Sequence, residues 1–220
     1  MKSKIIFLIA GMSGLFLAAC NNSKTKKDAT RADSSLVTTD TGHHIMNEGE
    51  MQKGELMSSM QPMMDKMSSM QMSDDFDRDF AGMMIDHHQG AVDMSKVELA
   101  KGTDEKIKTM AQQIITAQTV EIDIFRRILA DYKPSGMVHG KGELQKLQAE
   151  MGVSMGATNM TGNTDKDFAM MMTAHHEAAI KMFKAEQEYG MNARLKEMAK
   201  KGIRDQSKEI AEFKAWLAMK

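Results

Sequence analysis

The sequence predicts an all-α protein: a four-helix bundle made of two duplicated helical hairpins, preceded by a methionine-rich helical arm. Three observations carry that expectation. Only 2 of the 220 residues are proline and 5% are aromatic, while the good helix formers Ala, Met, Lys, Glu and Gln recur throughout. Residues 79 to 129 align without a gap on residues 167 to 217, an offset of 88, with 21 of 51 positions identical. In both copies apolar residues return every three or four positions, the period of one helix face.

The elements follow in chain order. Lys2 and Lys4 precede an apolar run from Ile5 to Leu17, too short to span a bilayer and suited to the core of a signal peptide over residues 1–19. The run ends in Leu17-Ala18-Ala19-Cys20, which resembles the lipobox of bacterial lipoproteins. That resemblance implies lipidation at Cys20 and an exported protein held to a membrane by its N-terminal lipid, on the periplasmic face or the cell surface, with about 0.8 kcal/mol per buried methylene. Cys20 is the only cysteine, so no internal disulfide can form and, once it is acylated, no thiolate remains for catalysis or metal binding. Residues 20–45 are polar, lack apolar periodicity and read as a flexible tether. The net charge of -1 offers no basic footprint for nucleic acid.

Residues 46–72 form the methionine-rich arm. Seven methionines fall within the 16 residues from Met57 to Met72, largely as Met-x-x-Met. That is helical spacing, which Pro62 is expected to interrupt. The segment resembles the methionine-rich stretches of extracytoplasmic copper-handling proteins, which makes Met57, Met60, Met63, Met64, Met67 and Met70, with His43 and His44, candidate auxiliary metal donors. The competing reading is an amphipathic helix whose methionine face docks on the bundle or grips a partner peptide.

The bundle occupies residues 73–220, with repeat 1 at 73–131, a crossover at 132–164 and repeat 2 at 165–218. Helices are expected near 75–101, 104–131, 165–189 and 192–218, broken at Gly102-Thr103 and Gly190-Met191. Thr164-x-x-Asp167 looks like a capping box opening the third of them. The crossover far exceeds the roughly 2–8 residues usual between neighbouring bundle helices. Two hairpins joined by one long crossover is the ferritin-like arrangement; the alternative is a loose loop around a short helix at 142–150.

Each copy carries one motif, MMIDHHQGAVDM at 83–94 and MMTAHHEAAIKM at 171–182. At about 100° per residue, Phe80, Met84, His87, Ala91, Met94 and Glu98 form one stripe, repeated by Phe168, Met172, His175, Ala179, Met182 and Glu186, and this is the predicted core face. His88 and His176 lie to one side, where neighbouring helices meet or solvent enters, and Met83 and Met171 to the other. Side chains three or four apart on a helix are neighbours, so Met83 with His87, and Met84 with His87 or His88, can close on one ion. Thioether and neutral imidazole are soft and borderline donors without charge, a set that favours Cu(I), or Ag(I), over iron, calcium or magnesium. The Glu-x-x-His of di-iron bundles is absent from the chain. Counting back from the hairpin turns puts Gln118 level with His87 and Gln206 level with His175, candidates to accept the free ring N–H and fix the tautomer. The bland alternative for the motif is methionine as core filler and histidine as a satisfied core residue.

The two motifs resemble the signature Met-Met-x-x-His-His-x-x-Ala-x-x-Met of the domain-of-unknown-function 305 family, and the likeness covers residues 73 to 218. It implies a ferritin-like four-helix bundle exported from the cytoplasm, with CopM-like members that bind copper and support copper tolerance. Carried over by position, the implied ligands are Met83, Met84, His87, His88 and Met94 with Met171, Met172, His175, His176 and Met182. Copy two departs at Ala174 for Asp86 and at Ala178 for Gly90, so the two sites are expected to differ in access or affinity. The expected function is an extracytoplasmic lipoprotein that binds Cu(I) for buffering, tolerance or transfer, with a copper-handling protein as a candidate partner and no catalysis of its own. The alternative is a methionine-rich protein- or peptide-binding helical module with structural histidines. For an enzyme such as a cuprous oxidase, no acid, base or nucleophile set stands out.

Overall fold

A computed structural model describes residues 48–134 and 136–220; Cys20, His43 and His44 lie outside the described residues. Those residues fold into six helices: α1 (Glu48–Ser69), α2 (Phe76–Lys101), α3 (Glu105–Ala130), α4 (Glu143–Gly156), α5 (Thr164–Tyr189) and α6 (Ala193–Leu217). Among the described residues there is no strand, and no helix long and apolar enough to cross a membrane. The protein is all-α. α2 with α3 and α5 with α6 are the two duplicated hairpins, and their helix starts, at 76 and 105 against 164 and 193, keep the offset of 88.

Helix ends are set by local side chains. Asp75, Asp104, Asn163 and Asn192 each sit in extended backbone and accept from amides of the first turn they cap. The capping box expected at Thr164 does not form: Asn163 is the N-cap, accepting from the Lys166 amide, and Asp167 instead binds the Thr161 and Gly162 amides and the Thr161 hydroxyl. Asp79 holds Ser73 in the matching way. At the two C-caps, a Cβ on Gly102 would collide with the Glu98 carboxyl, and one on Gly190 with that of Glu186, so glycine lets each glutamate fold back over its own turn.

The hairpins lock together through each other's turns. Asp165, at the start of α5, accepts from the Thr103 and Asp104 amides at the turn of the first hairpin. Asp77, at the start of α2, accepts from the Met191 and Asn192 amides at the turn of the second. α2 and α5 therefore run antiparallel, each beginning where the other ends. Tyr132, just past α3, donates to Asp75 at the opposite end of the bundle from Asp165, so the segment leading to α5 must traverse the bundle's length. That is the crossover. It is not a loose loop: α4 buries Leu144, Leu147, Met151 and Met155 and packs on α5, extending beyond the short helix the sequence suggested.

α1 belongs to the same compact unit, His44–Lys220. It buries Leu56, Met60, Met63 and Met67 as one stripe against α2 and, to a smaller extent, α5. The glycines of α2 admit it: a Cβ on Gly90 would stand 2.5 Å from Met63 Sδ, and one on Gly82 2.8 Å from Met70 Cε. Pro62 does not interrupt this helix, contrary to its sequence reading. Its ring lies on the exposed face, where the carbonyl left without a donor can turn to water.

Candidate metal centre

The helix period delivers the motif where the stripe predicted. His87, His88, His175 and His176 are all at 0% exposure, as are Met83, Met84, Met94, Met171 and Met172, with Met182 at 1%. The His87 and His175 rings meet across the junction of α2 and α5, centroids 3.6 Å apart and planes inclined by 36°. His88 lies 6.3 Å from His87, and His176 6.1 Å from His175, on the outer sides of this pair. The inner pair sits on stripe positions and the outer pair one residue round, under α3 and α6.

The outer histidines have carboxylate partners. His88 Nε2 is 3.0 Å from Glu121 Oε2. His176 Nε2 is 2.8 Å from Glu209 Oε2, an ion-pair distance, although the ring is turned so that the contact lacks hydrogen-bond alignment. Burial alone would raise the Glu121 value, but the bonds and charges of His88 and then Lys201 outweigh it and hold the acid at about 2. An ionised carboxylate only accepts, so His88 Nε2 carries a hydrogen and donates it to Glu121, while Nδ1 is buried without a partner.

This corrects the glutamine expectation. Gln118 and Gln206 are buried, but neither Oε1 has a partner and neither ring nitrogen of His87 or His175 is bonded. Tautomer-fixing falls to the acid one turn further along, on the outer histidine. Side chains lean toward the N-terminus of their own helix, so in an antiparallel hairpin the two tips shift past each other, and residues level by backbone count miss by three or four. Glu121 and Glu209 were visible in the sequence as repeat-matched acids, without this lean to assign them.

The inner histidines are held neutral. Burial first, then the neighbouring imidazoles, push His87 and His175 well below the ordinary value of 6.5. The backbone of each pulls the other weakly upward, from positions that are not hydrogen bonds. Four uncharged ring nitrogens thus lie unpartnered in a core where buried polar atoms are almost always paired. Among the described residues no three His, Cys, Asp or Glu side chains converge as a ready-made cage. The motif methionines Met83, Met84, Met94, Met171, Met172 and Met182 are buried on the same two helices as the histidines. Neutral imidazole with thioether is a donor set that would suit a soft monovalent cation.

Deeper along the same stripe, Glu98 and Glu186 are fully buried. Burial chiefly, and then Asp165 beside Glu98 and Asp77 beside Glu186, push both up to about 9. As carboxylates neither finds a donor. As acids each has an aspartate to donate to, the same aspartate that caps the opposite hairpin. Asp77 and Asp165 were missed in the sequence, though they too are identical at the repeat offset.

The arm contributes differently from the sequence expectation. Met60, Met63 and Met67 are core residues, Met64 and Met70 are half-buried, and Met57 is exposed. The family model described as a domain of unknown function (DUF305) matches residues 9–129 and 131–217. No curated protein and no solved structure matches the chain.

Proposed function

The chain belongs to the DUF305 family, and we propose that it binds Cu(I), or Ag(I), through His87 and His175 with the surrounding thioethers, as a buffer, tolerance factor or donor rather than a catalyst. One observation carries this reading: the inner histidine pair is buried, neutral and unpartnered on all four ring nitrogens. Leaving such groups unsatisfied costs about 1–3 kcal/mol each, which a bound ion offsets. His88 and His176, each paired at Nε2 with a carboxylate, offer Nδ1 as further donors, and Met83, Met84, Met94, Met171, Met172 and Met182 offer sulfur. The rival reading, a methionine surface that grips a peptide, has less support, because Met60, Met63 and Met67 are already packed against the protein's own helices.

The test is an anaerobic titration of the full chain with Cu(I) against a competing chelator, repeated with His87→Ala/His175→Ala. Loss of affinity by more than about a hundredfold is expected, beyond the 10–100-fold typical of outer partners alone. Unchanged affinity would move the binding to the arm, and no binding by either form would favour the peptide reading. We further place the protein outside the cytoplasm, anchored through Cys20, on the strength of Leu17-Ala18-Ala19-Cys20. Cys20→Ala should then release it from the membrane fraction.

A further inference from the structure

α2 and α5 lie at the centre of the molecule, and most of their outer faces are covered. α1 lies over α2 and reaches α5, α4 lies over α5, α3 flanks α2 and α6 flanks α5. α3 and α6 touch each other only sparsely, and between them lies a cavity of about 240 Å3. Its lining includes Gln118 and Gln206, one from each repeat at equivalent positions, together with Glu121 and Glu209, the carboxylates that meet the outer histidines. Gln118 and Gln206 are 3% and 4% exposed, and each amide oxygen is buried with no partner. Two unpaired carboxamide oxygens at the base of a cleft are neutral oxygen donors with nothing in the protein to bind. The cleft's charge is uneven. Lys201 binds Glu121 at 2.8 Å and Asp205 at 2.9 Å, while its repeat equivalent is Gln113, which leaves Glu209 without a lysine at the matching place.

We propose that the α3–α6 cleft is the entrance through which a monovalent soft cation reaches the buried histidines, with the Gln118 and Gln206 amide oxygens receiving it at the floor and Glu209, the carboxylate not bound by Lys201, marking the side it takes. The inference rests on the copper reading above and deepens it. An ion shedding water must find replacement donors on the way, and carboxamide oxygens, hard and weak donors for a soft cation, replace its water without holding it as thioether or imidazole would. Lys201 repels a cation from the Glu121 side and ties that carboxylate down; Lys208, the other lysine of the lining, pairs with Glu212 at 3.6 Å, which leaves Glu209 as the carboxylate toward which the approach is directed.

The experiment measures two quantities on the full chain: the equilibrium affinity for Cu(I), and the rate of its uptake from a weaker chelator followed by stopped flow. Gln118→Leu/Gln206→Leu should slow uptake by about tenfold or more, as when binding must wait on a rearrangement, with affinity changed by less than about threefold. Ala117→Trp plugs the cleft from an exposed position that the fold does not depend on, and should slow uptake even if the glutamine variant misfolds. Gln113→Lys, which installs a guard on the Glu209 side, should slow uptake by about threefold at low salt and less at high salt. Wild-type rates in Ala117→Trp with binding intact would overturn the entrance while leaving the copper reading standing. Parallel loss of affinity and rate in the glutamine variant would make the glutamines ligands and also overturn it. Absence of Cu(I) binding by the unmodified protein would sink the copper reading itself, and the entrance with it.

Discussion

His88 makes near-perpendicular ring contacts with Phe125 and Phe183, at centroid distances of 5.6 and 6.4 Å. At the positions equivalent to those two rings, the second copy provides Phe213 for one and Ser95, from the first hairpin, for the other. The Phe183 ring also meets Phe80 at 6.1 Å and covers Gly202 so closely that a Cβ there would strike it. Where repeat 2 pairs Phe183 with Gly202, repeat 1 carries Ser95 and Ile114: large and small are exchanged across the hairpin. The polar skeleton is not exchanged at all. His87 and His175, His88 and His176, Glu121 and Glu209, Glu98 and Glu186, Asp77 and Asp165 are identical in kind and alike in role. Volume can be redistributed between facing positions of a core, but a buried donor or acceptor cannot move without abandoning its partner.

The sharpest way to break the comparison is at the traded pair. Phe183→Ser should cost about 3–5 kcal/mol in chemical denaturation, the range for removing a buried ring. Adding Gly202→Ile, which gives repeat 2 the residues of repeat 1, should recover part of that loss, and additivity of the two changes would refute the exchange. Next come the reciprocal caps: Asp165→Ala and Asp77→Ala should each cost about 2–3 kcal/mol, since each removes a carboxylate that accepts two backbone amides. Near-equal losses are expected, and a large inequality would mean the two ends are not equivalent.

The buried glutamates sharpen the symmetry through pH. Each has a folded value of about 9 against an ordinary 4.5, so folding favours the protonated form. That stability is complete below about 4.5 and is lost as pH rises toward 9, at no more than about 1.4 kcal/mol per pH unit for each group. Stability to urea should therefore fall between pH 6 and 9, and Glu98→Gln and Glu186→Gln should each remove about half of the slope. Smallest are the changes that import repeat 2 residues beneath α1. Gly90→Ala should loosen α1 at a cost of about 1 kcal/mol, the crowding of Met63 exceeding the gain in helix propensity, read as faster proteolysis within α1. Asp86→Ala removes a pair between half-buried Asp86 and exposed Lys66 at 3.4 Å and should cost less than about 1 kcal/mol.

Those last two positions explain a difference the sequence could display but not interpret. Asp86 and Gly90 depart from Ala174 and Ala178 because α1 lies on the first copy, with Lys66 beside the acid and Met63 over the glycine. The hairpins, their ends and the histidine stripe were legible because helix period, caps and glycine stops are local signals, and the repeat stated each of them twice. The partnering of His88 with Glu121 was not, because it depends on how side chains lean across an antiparallel interface rather than on backbone count. The arm's continuity through Pro62 was not legible either, since a proline breaks a helix only where its lost bond cannot be replaced, and exposure at position 62 is a property of the packed molecule.

The exchange of caps between hairpins has a consequence for how such a chain can arise and be divided. Each half holds the aspartate that closes the other half's turn and leaves its own turn open, so two identical halves satisfy one another in the manner of an isologous dimer. Severed within the crossover, each fragment would carry the aspartate that the other's turn needs and lack the one for its own. The present molecule is that mutual arrangement made permanent by a covalent link.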